Sequence, residues 1–138
     1  MRVFLDANVL FSAAKTDGAV RDLLRLLQEA GHECWIDDYV VFEAYRNLIA
    51  KGPEALSALD AWVASCRAGP SQMPGARTPR VEIDWLPEKD RPVLAAGIRL
   101  RCDALLTGDR THFGAGYGKV FAGVTIHSPR SLAQLLFA

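Results

Sequence analysis

Two short apolar runs, each leading into an aspartate, constrain this chain more than any other feature. Met1-Arg2-Val3-Phe4-Leu5 runs straight into Asp6, and Ala104-Leu105-Leu106-Thr107 runs through Gly108 into Asp109. Without a polar residue at every second position, such a run reads as a strand covered on both faces, as in a parallel sheet. The charge that follows then lies at the sheet rim.

The remaining segments alternate in the same sense. After Gly18, Val20, Leu23, Leu24 and Leu27 recur at helical spacing up to Gly31. Cys34-Trp35-Ile36 reads as a second strand, and Asp37 or Asp38 is placed to cap a helix turning Val41, Ala44, Tyr45 and Leu48 inward. Pro53 suits the first turn of a further helix with Leu56, Leu59, Val63 and Cys66 on its apolar stripe. Gly69 to Pro79 is rich in Gly and Pro, has no periodicity and reads as a loop. Val81, Ile83 and Trp85 alternate with charged residues and predict a half-exposed edge strand. A helix through Val93, Leu94, Gly97 and Ile98 follows Asp90-Arg91-Pro92. A last strand, Val124-Thr125-Ile126, precedes a closing helix that starts at Ser128-Pro129 and carries Leu132, Leu135 and Leu136. This alternation predicts an α/β fold, a three-layer α/β/α sandwich around a mostly parallel central sheet. Ligands in that architecture collect at the carboxyl edge of the strands.

At 138 residues the chain reads as a single domain, 1–138, large enough to need no disulfide or structural zinc. Cys34, Cys66 and Cys102 are odd in number and widely spaced, which predicts reduced thiols in a cytoplasmic protein. His32, His112 and His127 lack the short spacing of a two-histidine metal motif. Sixteen basic residues balance sixteen acidic ones, so a nucleic-acid partner would be held by a local patch. No apolar stretch approaches the roughly 20 residues of a membrane-spanning helix, and no leader pattern opens the chain.

Asp6, Asp109 and Asp90 all fall at one sheet edge in this topology, and Glu43 reaches it from the second turn of its helix. Like charges gathered there repel one another unless a cation neutralises them. Oxygen ligands with no base interleaved suit Mg²⁺ or Mn²⁺. Each acid also has a local reading: an Asx turn at Asp6-Ala7-Asn8, a solvated Glu43–Arg46 pair, a helix cap at Asp90, and a tight turn at Thr107-Gly108-Asp109. The weight lies in four acids sharing one edge.

In Val3-Phe4-Leu5-Asp6-Ala7-Asn8-Val9-Leu10, Val41-Phe42-Glu43, Asp90-Arg91-Pro92-Val93-Leu94-Ala95-Ala96 and Leu105-Leu106-Thr107-Gly108-Asp109-Arg110-Thr111-His112-Phe113, the chain resembles the PIN-domain family of metal-dependent ribonucleases. The resemblance spans essentially the whole chain, and the Gly/Pro-rich stretch departs from it. It implies a PIN-like sandwich in which Asp6, Glu43, Asp90 and Asp109 form the catalytic site and hold one or two Mg²⁺ or Mn²⁺ ions. It also implies an RNA substrate, a small antitoxin protein as partner in a toxin–antitoxin pair, and a homodimer. Within it, Asp6 and Asp109 are expected as direct ligands, Asp90 as a third ligand or one acting through water, and Glu43 as the group that orients or deprotonates the attacking water. Asn8 and Thr107 would orient a carboxylate or make ordinary turn hydrogen bonds. Arg46, Arg91 and Arg110 are candidate phosphate contacts. His112 and Phe113 either stack on a base or, for Phe113, plug the core. The position two residues after Asp6 is Asn8, where a haloacid-dehalogenase-type phosphatase has a second aspartate, which argues against that chemistry. A non-catalytic metal- or partner-binding module of the same fold is the alternative function.

Overall fold

The computed structural model describes residues 1–70 and 80–138. Among these residues six strands form one sheet: β1 (Arg2–Leu5), β2 (Glu33–Ile36), β3 (Arg67–Ala68), β4 (Ala104–Leu106), β5 (Val120–Phe121) and β6 (Val124–His127). Their spatial order is β3-β2-β1-β4-β6-β5, and every pairing is parallel except that of β5 with β6. Among the described residues eight α-helices connect and flank them: α1 (Ala7–Lys15), α2 (Ala19–Glu29), α3 (Asp38–Lys51), α4 (Leu56–Ser65), α5 (Arg80–Ile83), α6 (Arg91–Arg99), α7 (Arg110–Phe113) and α8 (Pro129–Phe137). The architecture is the α/β/α sandwich expected from the sequence.

The two apolar runs form the centre of the sheet. β1 lies between β2 and β4, with Phe4 opposite Trp35 on one side and Leu105 on the other. Val3, Phe4, Leu5, Leu105 and Leu106 are fully enclosed, so their unbroken apolar character reflects helices over both faces. Each such side chain contributes about 1.5–3 kcal/mol by leaving water. On α6, a Cβ at Gly97 would stand 3.7 Å from Val124 and 3.8 Å from the Phe4 Cβ, so this helix lies close against the sheet. Because β1 and β4 pair in parallel, both deliver the residues after them to the same edge.

Several local expectations are corrected. The helix α1 follows Asp6 at once, burying Val9, Leu10, Ala13 and Ala14. Residues 81–85 form no strand: α5 covers Arg80–Ile83 and a turn follows. Val81 is 80% exposed there, whereas Trp85 stacks on Phe121 with ring centroids 4.9 Å apart and meets Phe113 edge-on. Its indole N–H donates to the Glu82 carbonyl. Aromatic packing at one end and a single helical turn at the other produced the alternation. The helix α4 stops at Ser65, leaving Cys66 beyond it, and the inward face of α3 is Val40, Ala44 and Leu48, with Val41 and Tyr45 half-buried. Gly69 and Pro70 are non-helical and not in a strand, and the rest of the expected 69–79 loop lies outside the described residues. All three cysteines are free thiols.

Candidate active site

The carboxyl edge of β1 and β4 is built on a hydrogen-bonded net around Asp6. Its side chain is 5% exposed. One oxygen, Oδ1, accepts the Ala7 backbone N–H at 2.7 Å and so caps α1. The other, Oδ2, accepts the Thr107 hydroxyl at 2.8 Å and the Asn8 amide at 3.0 Å. Asn8 in turn accepts the Gly108 N–H at 2.8 Å, and the Thr107 hydroxyl oxygen accepts the Asp109 N–H at 3.1 Å. Asn8 and Thr107 therefore tie the end of β1 to the turn after β4 and aim one carboxylate. In place of the Asx turn read at Asp6-Ala7-Asn8, the Asp6 carboxylate caps α1, and the Thr107 hydroxyl braces the Thr107-Gly108-Asp109 segment.

Burial pushes the Asp6 carboxyl up to about 6, against the pull of the Thr107 and Ala7 hydrogen bonds, and the charges of Asp90 and Glu43 push it further in the same direction. Asp6, Glu43 and Asp90 thus share one electrostatic neighbourhood, although they come from the end of β1, from α3 and from the turn before α6. Tyr39 closes this side: its hydroxyl donates to the Lys89 carbonyl, and burial followed by the Glu43 carboxylate raises its own ionisation. Among the described residues no ion pair joins Glu43 to Arg46, so the solvated-pair reading of Glu43 does not hold.

Asp90 arrives by a route different from the one expected. It ends a 3₁₀ turn, Glu88–Asp90, rather than following an edge strand, and its side chain makes no capping hydrogen bond to α6. Burial raises its ionisation first, the positive charges of His112 and Lys89 oppose that, and Asp109 adds to it. Asp109 caps α7 through Oδ1, which accepts the His112 N–H at 3.1 Å. Its Oδ2 lies 2.9 Å from His112 Nδ1, and Asp90 Oδ2 lies 3.0 Å from the same nitrogen. One ligand atom from each of Asp90, Asp109 and His112 falls within 4.8 Å of the others.

Read from the sequence as a base-stacking candidate, His112 has its ring Nδ1 beside both Asp90 and Asp109. Asp109 and His112 are three apart on the first turn of α7, a spacing that puts both on one side of it, and this was the available signal. Phe113, by contrast, is fully buried and serves the core, so it offers no face to a base. Arg91 donates to the Leu86 carbonyl at 3.0 Å and to the Asp84 carbonyl at 3.3 Å, which commits it to the turn before α6. Arg46 and Arg110 are exposed.

In sequence, no protein-family model and no curated protein matches the chain. Solved structures do match in shape. A chain of the VapBC2 complex from Rickettsia felis, bound to a promoter DNA fragment, superposes with a TM-score of 0.68 at 15% identity, covering 93% of this chain and 98% of that one. The VapC20 toxin of Mycobacterium tuberculosis, which cleaves the sarcin–ricin loop, gives 0.57 at 14% identity, covering 86% and 98%. The fold is the PIN-like fold of VapC proteins. A chain of the DNA-bound VapBC complex of Salmonella typhimurium shares this PIN-like shape, with a TM-score of 0.63 at 12% identity over 94% of this chain and 98% of that one.

The donor set fits a hard or borderline divalent cation. Asp90 Oδ2 and His112 Nδ1 are enclosed atoms with no hydrogen-bond partner, although they stand 3.0 Å apart. Buried polar atoms are seldom left so in a native fold, and with Asp109 Oδ2 they make a donor set that could hold an ion.

Proposed function

We propose that this chain is a Mg²⁺- or Mn²⁺-dependent ribonuclease that hydrolyses RNA phosphodiester bonds as the toxin of a toxin–antitoxin pair. The observation that carries this reading is the gathering of Asp6, Glu43, Asp90 and Asp109 at one sheet edge, where Asp6 is pushed up to about 6 by burial and by its acidic neighbours. A divalent ion bound there would lower the pKa of a coordinated water and neutralise charge developing on the phosphate.

Asp6, Asp90 and Asp109 are assigned as its carboxylate ligands. Asn8 and Thr107 hold Asp6 Oδ2 in a fixed direction, as partners of a ligating carboxylate do. Glu43, on the rigid frame of α3, is assigned to orient the attacking water and accept its proton at a carboxylate oxygen. Exposed Arg110, one residue from Asp109, is placed to meet an RNA phosphate.

The partner in this reading is a small antitoxin protein, in keeping with the VapBC and FitAB complexes among the matching structures. Phe42 and Ile49, exposed by 67% and 60% and seven residues apart on α3, offer such a protein an apolar stripe. The homodimer implied by the resemblance belongs to the same reading. No helix among the described residues is long and apolar enough to cross a membrane.

The test is cleavage of a mixed-sequence single-stranded RNA with Mn²⁺, beside Asp6→Asn and an EDTA control. Cutting by the wild type alone, abolished by EDTA, is the expected result, with Asp6→Asn retaining its fold and losing roughly a hundredfold or more of the rate. Equal cutting by Asp6→Asn would overturn the mechanism. Metal binding without any cutting would favour the non-catalytic module.

A further inference from the structure

The four acids leave His112 unassigned, yet it sits between two of them. We propose that His112 is itself a ligand, supplying Nδ1 beside Asp90 Oδ2 and Asp109 Oδ2, so that the ion site is a mixed nitrogen–oxygen site that prefers Mn²⁺ to Mg²⁺. This rests on the metal-dependent reading above and specifies the donor set of that site.

The first ground is geometric. His112 Nδ1 lies 3.0 Å from Asp90 Oδ2 and 2.9 Å from Asp109 Oδ2, and neither approach satisfies the direction a ring N–H hydrogen bond requires, because Nδ1 and Asp90 Oδ2 both remain without a partner. Adjacent donors around an octahedral ion with bonds of about 2.1 Å stand about 3 Å apart, and they point at the ion rather than at each other. The observed separations and the failed hydrogen-bond directions agree with that arrangement.

The second ground is how the ring is held. The His112 backbone N–H is bonded to Asp109 Oδ1, and the side chain is about 29% exposed. The His112 backbone is therefore tied to Oδ1 of the carboxylate it would share the ion with, while the other oxygen, Oδ2, lies 2.9 Å from the ring nitrogen. The neighbouring Phe113 is locked into the core against Trp85, which anchors the short α7 from the other side. Imidazole binds weakly to Mg²⁺, which takes oxygen ligands, and gains affinity along the later divalent metals. One nitrogen among carboxylates shifts the preference toward Mn²⁺.

The experiment loads full-length wild-type protein with Mn²⁺ and reads ¹⁴N coupling to the ion by pulsed electron paramagnetic resonance, alongside calorimetric titration of Mn²⁺ and Mg²⁺ into wild type and His112→Gln. The expected result is a directly bound nitrogen in the wild type that vanishes in His112→Gln, with Mn²⁺ affinity falling by roughly ten- to a hundredfold and Mg²⁺ affinity falling less. Mn²⁺ bound without nitrogen coupling, or coupling that persists in His112→Gln, overturns the ligand assignment and leaves the nuclease reading standing. Nitrogen coupling in a protein that cuts no RNA supports the ligand assignment and removes the nuclease reading instead. Failure of the wild type to bind Mn²⁺ overturns both.

Discussion

The amino edge of the sheet and the acids around Asp6 at its carboxyl edge hold their charged groups in different ways. At the amino edge, Arg67 pairs with Glu33 at 2.9 Å, Arg2 lies 3.6 Å from the same carboxylate and over the Trp35 ring, and the Arg2 N–H donates to Asp103 at 2.7 Å. Opposite charges meet there in contact with water, and each carboxylate has a partner. At the carboxyl edge, like charges are drawn together and partly enclosed, two polar atoms go unpartnered, and both Asp6 and Asp90 are held above the usual carboxylate range. At the carboxyl edge Asp37 is paired with Arg99 at 3.4 Å, whereas among the described residues no Lys or Arg pairs with Asp6, Glu43, Asp90 or Asp109. That asymmetry is the basis of the proposal that a cation completes the carboxyl edge.

The largest effect expected from this contrast is catalytic. Glu43→Gln keeps the size of the side chain on α3 but removes the proton acceptor, and single-turnover RNA cleavage should fall by roughly a hundred- to ten-thousandfold. Cleavage at the wild-type rate would remove Glu43 from the mechanism and shift the proton to another group.

The next effect is on stability in the absence of metal. Burial pushes the folded-state Asp6 carboxyl up to about 6 from its ordinary 3.8, so between these values the native state holds more protons than the unfolded one. Stability of the metal-free protein therefore falls as pH rises through that window, by about 3 kcal/mol for the full shift. Chemical denaturation in EDTA at pH 4.5 and pH 7.5 checks the sign for wild type, and Asp6→Asn should flatten the dependence. A wild-type protein that grows more stable across the window because of Asp6 would contradict the crowding argument.

The smallest effect belongs to the amino edge. Glu33→Gln removes the acid shared by Arg2 and Arg67, whose side chains are largely solvated, and should cost less than about 1 kcal/mol in denaturant melts with RNA cleavage unchanged. A loss of cleavage there would mean that the two edges are coupled and the contrast drawn between them is false.

How much of this was legible depended on length and covering. The strand-end positions of Asp6 and Asp109 were readable because β1 and β4 are buried on both faces and show it as unbroken apolar runs. Glu43 followed from the capping aspartate and the apolar face of α3. Asp90 reached the expected edge by an unexpected path, since Trp85 is placed by aromatic neighbours distant in sequence and a four-residue helix has too few residues to show its period. The two-residue β3 was invisible for a related reason: Arg67 and Ala68 are exposed, and backbone pairing with β2 alone defines the strand. His112 belongs to a cluster whose second acid, Asp90, lies in a different element, and a spacing rule confined to one helix finds only half of such a group.

The central claim is that the carboxyl edge is unfinished without a divalent ion, and the most direct test is the change in melting temperature on adding millimolar Mn²⁺ to wild type, Glu33→Gln and Asp109→Asn. Metal at a hundred times its dissociation constant contributes about 2.7 kcal/mol, roughly 10 °C for a domain of this size. The account predicts that rise for wild type and Glu33→Gln and little or none for Asp109→Asn. No rise in the wild type, or an equal rise in all three, would contradict it.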